Sequence, residues 1–212
     1  MKRRKIVIGN WKMNPETRQE AEKWVKNTAK LLPKIQKTDI IVCPPFLYIE
    51  KLKKISRKVS IGAQNAFWGD IGAHTGEVSV EMLYDLGVRY VILGHSERRA
   101  MGETDVLINK KIKAALSAGL TPIVCIGEVA RDDGHEYFNV VKTQIKECLK
   151  GISKNLISNI IVAYEPVWAI SSTPNRRDAA PADCLEMSIF IKKVLSDLSS
   201  PQIAGETRII YG

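Results

Sequence analysis

The stretch Ala163-Tyr164-Glu165-Pro166-Val167-Trp168-Ala169-Ile170 follows the apolar run Ile160-Ile161-Val162, so Glu165 falls where a buried strand breaks into a loop. A carboxylate shielded from water there gains proton affinity and suits general-base work. Pro166 stiffens the next step and Trp168 can act as an apolar lid. Upstream, Gly94-His95-Ser96-Glu97-Arg98-Arg99 brings a histidine into what reads as a helix start, where the positive end of the dipole favours a neutral imidazole. Asn10 and Lys12, two apart after the first apolar run, share one side of an extended backbone. Taken singly, each has an ordinary use: a strand-end salt bridge, a satisfied core histidine, a solvated lysine. An amide, a lysine, a histidine and a carboxylate from three strand ends together make a proton-transfer site with an electrophile. That chemistry suits a carbonyl substrate bearing an anion.

The elements that must present these groups recur along the chain. Strands are expected at Lys5–Gly9, Asp39–Cys43, Val59–Gly62, Tyr90–Leu93, Pro122–Ile126, Ile160–Ala163 and Thr207–Tyr211. Their continuous apolar runs suit parallel strands covered on both faces. Six main helices are expected between them. The first is capped by Asn14-Pro15 and carries Ala21, Trp24, Val25, Thr28, Leu31 and Leu32 on one stripe. The others span about 46–55, 79–86, 104–118 and 136–150, and the last opens at Pro181. Six units between residues 5 and 207 occupy roughly 34 residues each, the size of a βαβ repeat. The expected fold is therefore α/β, a TIM-type (β/α) barrel in one domain over 1–212. It is incomplete, with seven parallel strands and the eighth unit missing. A doubly wound open sheet competes, but the turn Gly9-Asn10-Trp11-Lys12-Met13-Asn14 lacks the glycine-rich phosphate fingerprint of that architecture.

Composition narrows the functional classes. Of 212 residues, 45% are hydrophobic and 26% charged, ordinary globular values, and no apolar run approaches a membrane span. Cys43, Cys125, Cys148 and Cys184 are scattered without CxxC spacing, which points away from a metal site and towards a reducing, cytoplasmic setting. The net charge of +9 raises the question of nucleic acid or an anionic ligand. The basic residues are spread over several helix faces, such as Lys51, Lys53 and Lys54, then Lys110, Lys111 and Lys113, without interleaved aromatics. Solvated helix faces account for them best, steering of an anionic ligand comes second, and nucleic acid comes last.

Asn10-Trp11-Lys12-Met13-Asn14, Gly94-His95-Ser96-Glu97-Arg98-Arg99 and the segment from Ala163 to Ile170 resemble the triosephosphate isomerase family. So do Gln64-Asn65, Gly72-Ala73-His74-Thr75-Gly76-Glu77 and Ile209-Ile210-Tyr211-Gly212, in the same order along the chain. This family is one of the standard worked cases of tuned acid–base catalysis. The resemblance implies that Glu165 shuttles a proton between adjacent carbons of a triose phosphate. His95 and Asn10 would polarise its oxygens, and Lys12 would offset phosphate and enediolate charge. Ser96, Glu97 and Cys125 would support them, Glu97 as a partner of Lys12. Pro166, Val167, Trp168, Ala169, Ile170, Ser171, Ser172 and Thr173 would form a lid, and Lys12, Ser171 and Gly212 would hold the phosphate. The resemblance further implies no metal or organic cofactor, and at least a homodimer built around Gln64, Asn65, Thr75, Gly76 and Glu77.

Two departures from the family pattern carry expectations. The lid lacks the family's Gly-Thr-Gly hinge and reads Ser171-Ser172-Thr173-Pro174, with Arg176-Arg177 before Pro181 as candidate compensating charges. The phosphate loop runs only to Tyr211-Gly212, which predicts weak substrate retention and a chain that does not persist as an exposed monomer, its open edges being covered by another subunit, by shifted flanking elements or by a separate polypeptide. The competing readings are a catalytically inactive, self-assembling barrel and, more remotely, a basic nucleic-acid-binding protein.

Overall fold

The structure, a computed structural model, describes residues 4–32, 37–56, 58–170, 173–174 and 176–212. Ser171 and Ser172, assigned above to the lid, lie outside the described residues. The chain divides into two compact units. The first comprises Met1–Ile92 with Ser117–Leu120, and the second Leu93–Leu116 with Thr121–Gly212.

In the first unit, β1 (Lys5–Asn10), β2 (Thr38–Cys43), β3 (Ser60–Ala63) and β4 (Tyr90–Leu93) follow one another with α1 (Arg18–Leu31), α2 (Phe46–Ile55) and α3 (Val80–Asp85) between them. Sequence neighbours pair in parallel: Lys5 faces Thr38 and Asn10 faces Cys43, Val42 faces Ile61, and Ala63 faces Val91. A parallel ladder with crossover helices is what continuous β-branched runs favour, because both faces are covered. Ile41, Ile49, Leu52, Ile61 and Leu83 are fully buried in this unit.

The expected first helix is corrected at its start. Thr17, not Asn14, is the cap, its hydroxyl accepting from Glu20 N at 3.3 Å, so the helix opens at Arg18. Ala21 and Val25 are buried, but Trp24 and Leu31 on the expected stripe are exposed. Ser79 caps α3 in the same way, accepting from Met82 N at 3.2 Å.

In the second unit, β5 (Thr121–Ile126), β6 (Ile161–Tyr164) and β7 (Arg208–Tyr211) pair in parallel, with Ile126 facing Tyr164 and Tyr164 facing Tyr211. Around them lie α4 (Ser96–Ala100), α5 (Asp105–Ser117), α6 (Glu136–Cys148), α7 (Lys154–Ile157), α8 (Pro181–Leu198) and α9 (Pro201–Glu206). The short α4, α7 and α9 go beyond the six expected helices. In α9, Ser200 caps Pro201 and the following turn. Lys192 of α8 donates to the carbonyls of Ala204, Gly205 and Thr207, which stops α9 just before β7. Ile108, Ile112, Ile123, Ile145, Ile160 and Met187 form this unit's interior. Gly94, after β4, has φ +71°, and a Cβ there would meet Ile108 Cδ1 at 2.7 Å, so glycine turns the chain towards His95.

Candidate active site

Asn10 ends β1, and its side-chain carbonyl accepts from Lys12 N at 2.9 Å. Lys12 itself has φ 52°, the left-handed region that a lysine rarely adopts. Gln64 secures that turn: its amide donates to the carbonyls of Lys12 and Cys43, both at 2.8 Å. Gln64, expected only as an interface residue, thus also supports Lys12. Backbone held in a costly conformation by specific bonds is a recurrent sign of function. Asn65 follows Gln64, half-buried, and Thr75, Gly76 and Glu77 lie on an exposed turn closed by Glu77 N donating to His74 O at 3.1 Å.

In the second unit, His95 caps α4, and its Nδ1 accepts from the Glu97 amide at 3.2 Å. An accepting Nδ1 puts the ring hydrogen on Nε2. That nitrogen lies 3.6 Å from Glu165 Oε1, with the two side chains only 9% and 12% exposed. At 3.6 Å the pair is too far apart for a good hydrogen bond, so both groups keep capacity for a third partner. The other oxygen of Glu165 accepts from Ser96 N at 3.3 Å. The expected Ser96 thus holds the carboxylate by its main chain. Glu97 lies beside His95, its carboxylate 3.8 Å from Nδ1.

The segment carrying Glu165 is fixed against the end of β5. Glu165 N donates to Ile126 O at 2.8 Å and Val167 N to Glu128 O at 2.9 Å. Gly127 lies between them, and a Cβ there would stand 1.9 Å from Glu165 O. Gln144 of α6 clamps the same residue, accepting from Gly127 N at 2.8 Å and donating to Gly127 O at 3.0 Å. Cys125, expected as a supporting residue, is buried, and its carbonyl accepts from Arg99, which also donates to Gly94 O.

Gly127 and Glu128, which follow β5 and which the sequence alone did not single out, both serve this arrangement. Glu128 is 1% exposed, and its Oε1 accepts from Tyr164 OH at 2.7 Å, Trp168 Nε1 at 2.8 Å and Arg131 Nε at 3.3 Å. Arg131 also pairs with Asp183 and Glu186. Burial pushes the Tyr164 phenol upward, Glu128 adding to the effect and Arg131 opposing it, so Tyr164 stays a proton donor. The signal for Glu128 was its place beside a strand-end glycine, but nothing local identified its partners.

Within the segment expected to form a lid, Val167–Ala169 is a 3-10 turn. Thr173 folds back on it, its hydroxyl donating to Val167 O at 2.5 Å and its amide to Ile170 O at 2.9 Å. Arg176 pairs with Asp178 at 2.7 Å. Gly212, expected at the phosphate, donates its amide to Tyr164 O at 3.0 Å, so that hydrogen is already committed within the sheet.

The sequence profile of the triosephosphate isomerase family matches residues 5–212. The chain is 43% identical over 217 aligned positions to the triosephosphate isomerase of Thermoanaerobacter pseudethanolicus, covering 99% of this chain and 84% of that one. It is 45% identical over 215 positions to the same enzyme of Moorella thermoacetica and 42% over 214 to that of Aquifex aeolicus, with the same coverage. The chain belongs to the triosephosphate isomerase family. The α/β, TIM-type fold expected from the strand–helix alternation follows from that membership. The residues that resembled triosephosphate isomerases include His95 and Glu165, which stand together in the second unit, and Asn10 and Lys12, which share one turn in the first.

Proposed function

We propose that this chain interconverts dihydroxyacetone phosphate and D-glyceraldehyde 3-phosphate. The observation that carries the reading is the pair formed by His95 and Glu165, nearly enclosed and 3.6 Å apart, with the ring hydrogen directed to Nε2. In this reading the Glu165 carboxylate takes a proton from C1 of the ketose. The C1–H electron pair forms the C1=C2 bond, and the C2 carbonyl pair moves onto its oxygen. The O1 hydroxyl proton passes to O2, and the Glu165 carboxylic acid, whose proton exchanges with solvent, delivers a proton to C2 as O1 becomes the aldehyde oxygen. One carbon is oxidised and its neighbour reduced, so no external oxidant or reductant enters. His95 Nε2–H donates to the substrate oxygens as charge develops on them, the kind of preorganised donor that lowers such barriers most. Asn10 is assigned a second polarising donor, and Lys12 offsets phosphate and enediolate charge. For these two the support is their match to the family motif and the left-handed backbone held at Lys12.

Other parts of the proposal rest on more general features. The lid residues Pro166 to Ile170 and Thr173 shield the reacting carbons from water. Two copies are proposed to associate through the first unit, where Met13 is 92%, Leu47 87% and Ile71 74% exposed. Cys43, Cys148 and Cys184 are free thiols, which suits a reducing, cytoplasmic setting. Among the described residues no helix is long and apolar enough to cross a membrane.

The test is a coupled isomerase assay with Glu165→Ala as the control. Turnover by the unaltered chain that Glu165→Ala lowers by on order of a thousandfold supports the reading. Activity equal in both proteins refutes it.

A further inference from the structure

We propose that Arg177 is a positioning residue for Glu165, acting through Trp168; this rests on the isomerase reading above. The turn Val167–Ala169 begins two residues after Glu165, so whatever seats its tryptophan limits where the carboxylate can go. Trp168 is 9% exposed, and three groups hold its ring. The indole N–H donates to Glu128 at 2.8 Å, Arg131 Cζ lies 5.4 Å from the ring centroid, and Arg177 Cζ lies 4.4 Å from it. Arg177 also donates its backbone N–H to Trp168 O at 3.2 Å. It therefore meets the lid residue at both main chain and ring.

The two neighbouring arginines have separate uses. Arg176 is neutralised by Asp178, whereas among the described residues the indole is the partner of the Arg177 guanidinium. Arg131 belongs to the carboxylate cluster of Glu128, Asp183 and Glu186, and is already fixed by it. Arg177 approaches from the chain beyond the lid and completes the seat. A cation over an indole is the strongest of the common cation–ring pairings. Misplacement of a reacting group by about 1 Å can cost on the order of a hundredfold in rate. Side-chain substitution at Arg177 leaves the main-chain bond in place and isolates the cation–ring contact.

The experiment compares the full chain with R177A and R177K, resolving kcat from KM and recording the Trp168 indole N–H resonance, assigned with W168F. Arg177 is exposed, so both variants are expected to fold, which circular dichroism checks. R177A is expected to lower kcat about three- to tenfold, with KM changed less than about twofold, and to shift the indole resonance. R177K, which keeps a cation, is expected to recover most of both. Wild-type kcat in R177A beside an inactive E165A overturns the inference and leaves the isomerase reading intact. So does R177K as impaired as R177A, or a loss of kcat without an indole shift. An active E165A overturns both.

Discussion

At the residue scale, the central feature is a histidine whose protonation site is set by its neighbours. Because Glu97 N–H occupies Nδ1, the ring can donate only from Nε2, the nitrogen that faces Glu165. His95→Gln replaces the ring with a longer, more flexible donor. It is expected to lower kcat by about a hundredfold or more while KM changes far less, as a donor aimed at developing charge requires. Steady-state kinetics decide this, and a variant that raises KM alone contradicts it. Gly127 offers a second prediction. A methyl there meets Glu165 O at 1.9 Å, so Gly127→Ala must move the peptide that carries the base. A stability loss of about 2–3 kcal/mol together with reduced kcat is expected, read from urea unfolding and the coupled assay. His95, Glu165 and Lys12 were legible in the sequence because chemistry-bearing types stood at strand ends. Glu128 was not, because its role depends on Tyr164 and Trp168, 36 and 40 residues away, and no local pattern encodes that meeting.

At the element scale, buried ionisable groups sit beneath the strands and helices that carry the site. Burial pushes the Cys43 thiol, at the end of β2, from 9.0 up to about 12. Cys148, at the end of α6, rises likewise to about 12 through burial, with Asp105 adding to it. In the unfolded chain these thiols ionise near 9.0, whereas the folded chain keeps them protonated. The unfolded state therefore sheds protons first, and stability falls as pH rises from about 9 towards about 12. Below pH 9 this contribution is fully present and flat. Urea midpoints are expected to fall steadily above pH 9, and the double variant C43A/C148A to lose part of that slope. An equal slope in the double variant contradicts the assignment. On α5, Lys111 is buried against Glu103, both side chains 3% exposed. Lys111→Met leaves a buried carboxylate short of a partner and is expected to cost about 3–5 kcal/mol in urea unfolding. The seven strands were readable from their β-branched runs. The short helices α7 and α9, four and six residues long, were not, because a single turn shows no apolar period. The start of α1 was misread because Asn14 and Thr17 are both good caps, and only the hydrogen bond to Glu20 N distinguishes them.

At the scale of the whole molecule, charge and association are the properties that composition made visible. A net charge of +9 favours encounter with a phosphorylated substrate over long distances. kcat/KM is therefore expected to fall several-fold between roughly 0.01 and 0.5 M salt while kcat stays nearly constant. A flat salt profile removes any steering role for that charge. The proposed self-association predicts a solution mass of at least twice 23.7 kDa at micromolar concentration, read by light scattering.

The proton transfer itself can be observed. With dihydroxyacetone phosphate in deuterium oxide, the full chain is expected to place solvent deuterium on C1 of the ketose and C2 of the aldose, followed by NMR. Glu165→Ala is expected to leave both carbons protonated over the same time. Deuterium entering at equal rates with and without the Glu165 carboxylate, or not at all with the unaltered chain, contradicts the assignment of Glu165 as the base.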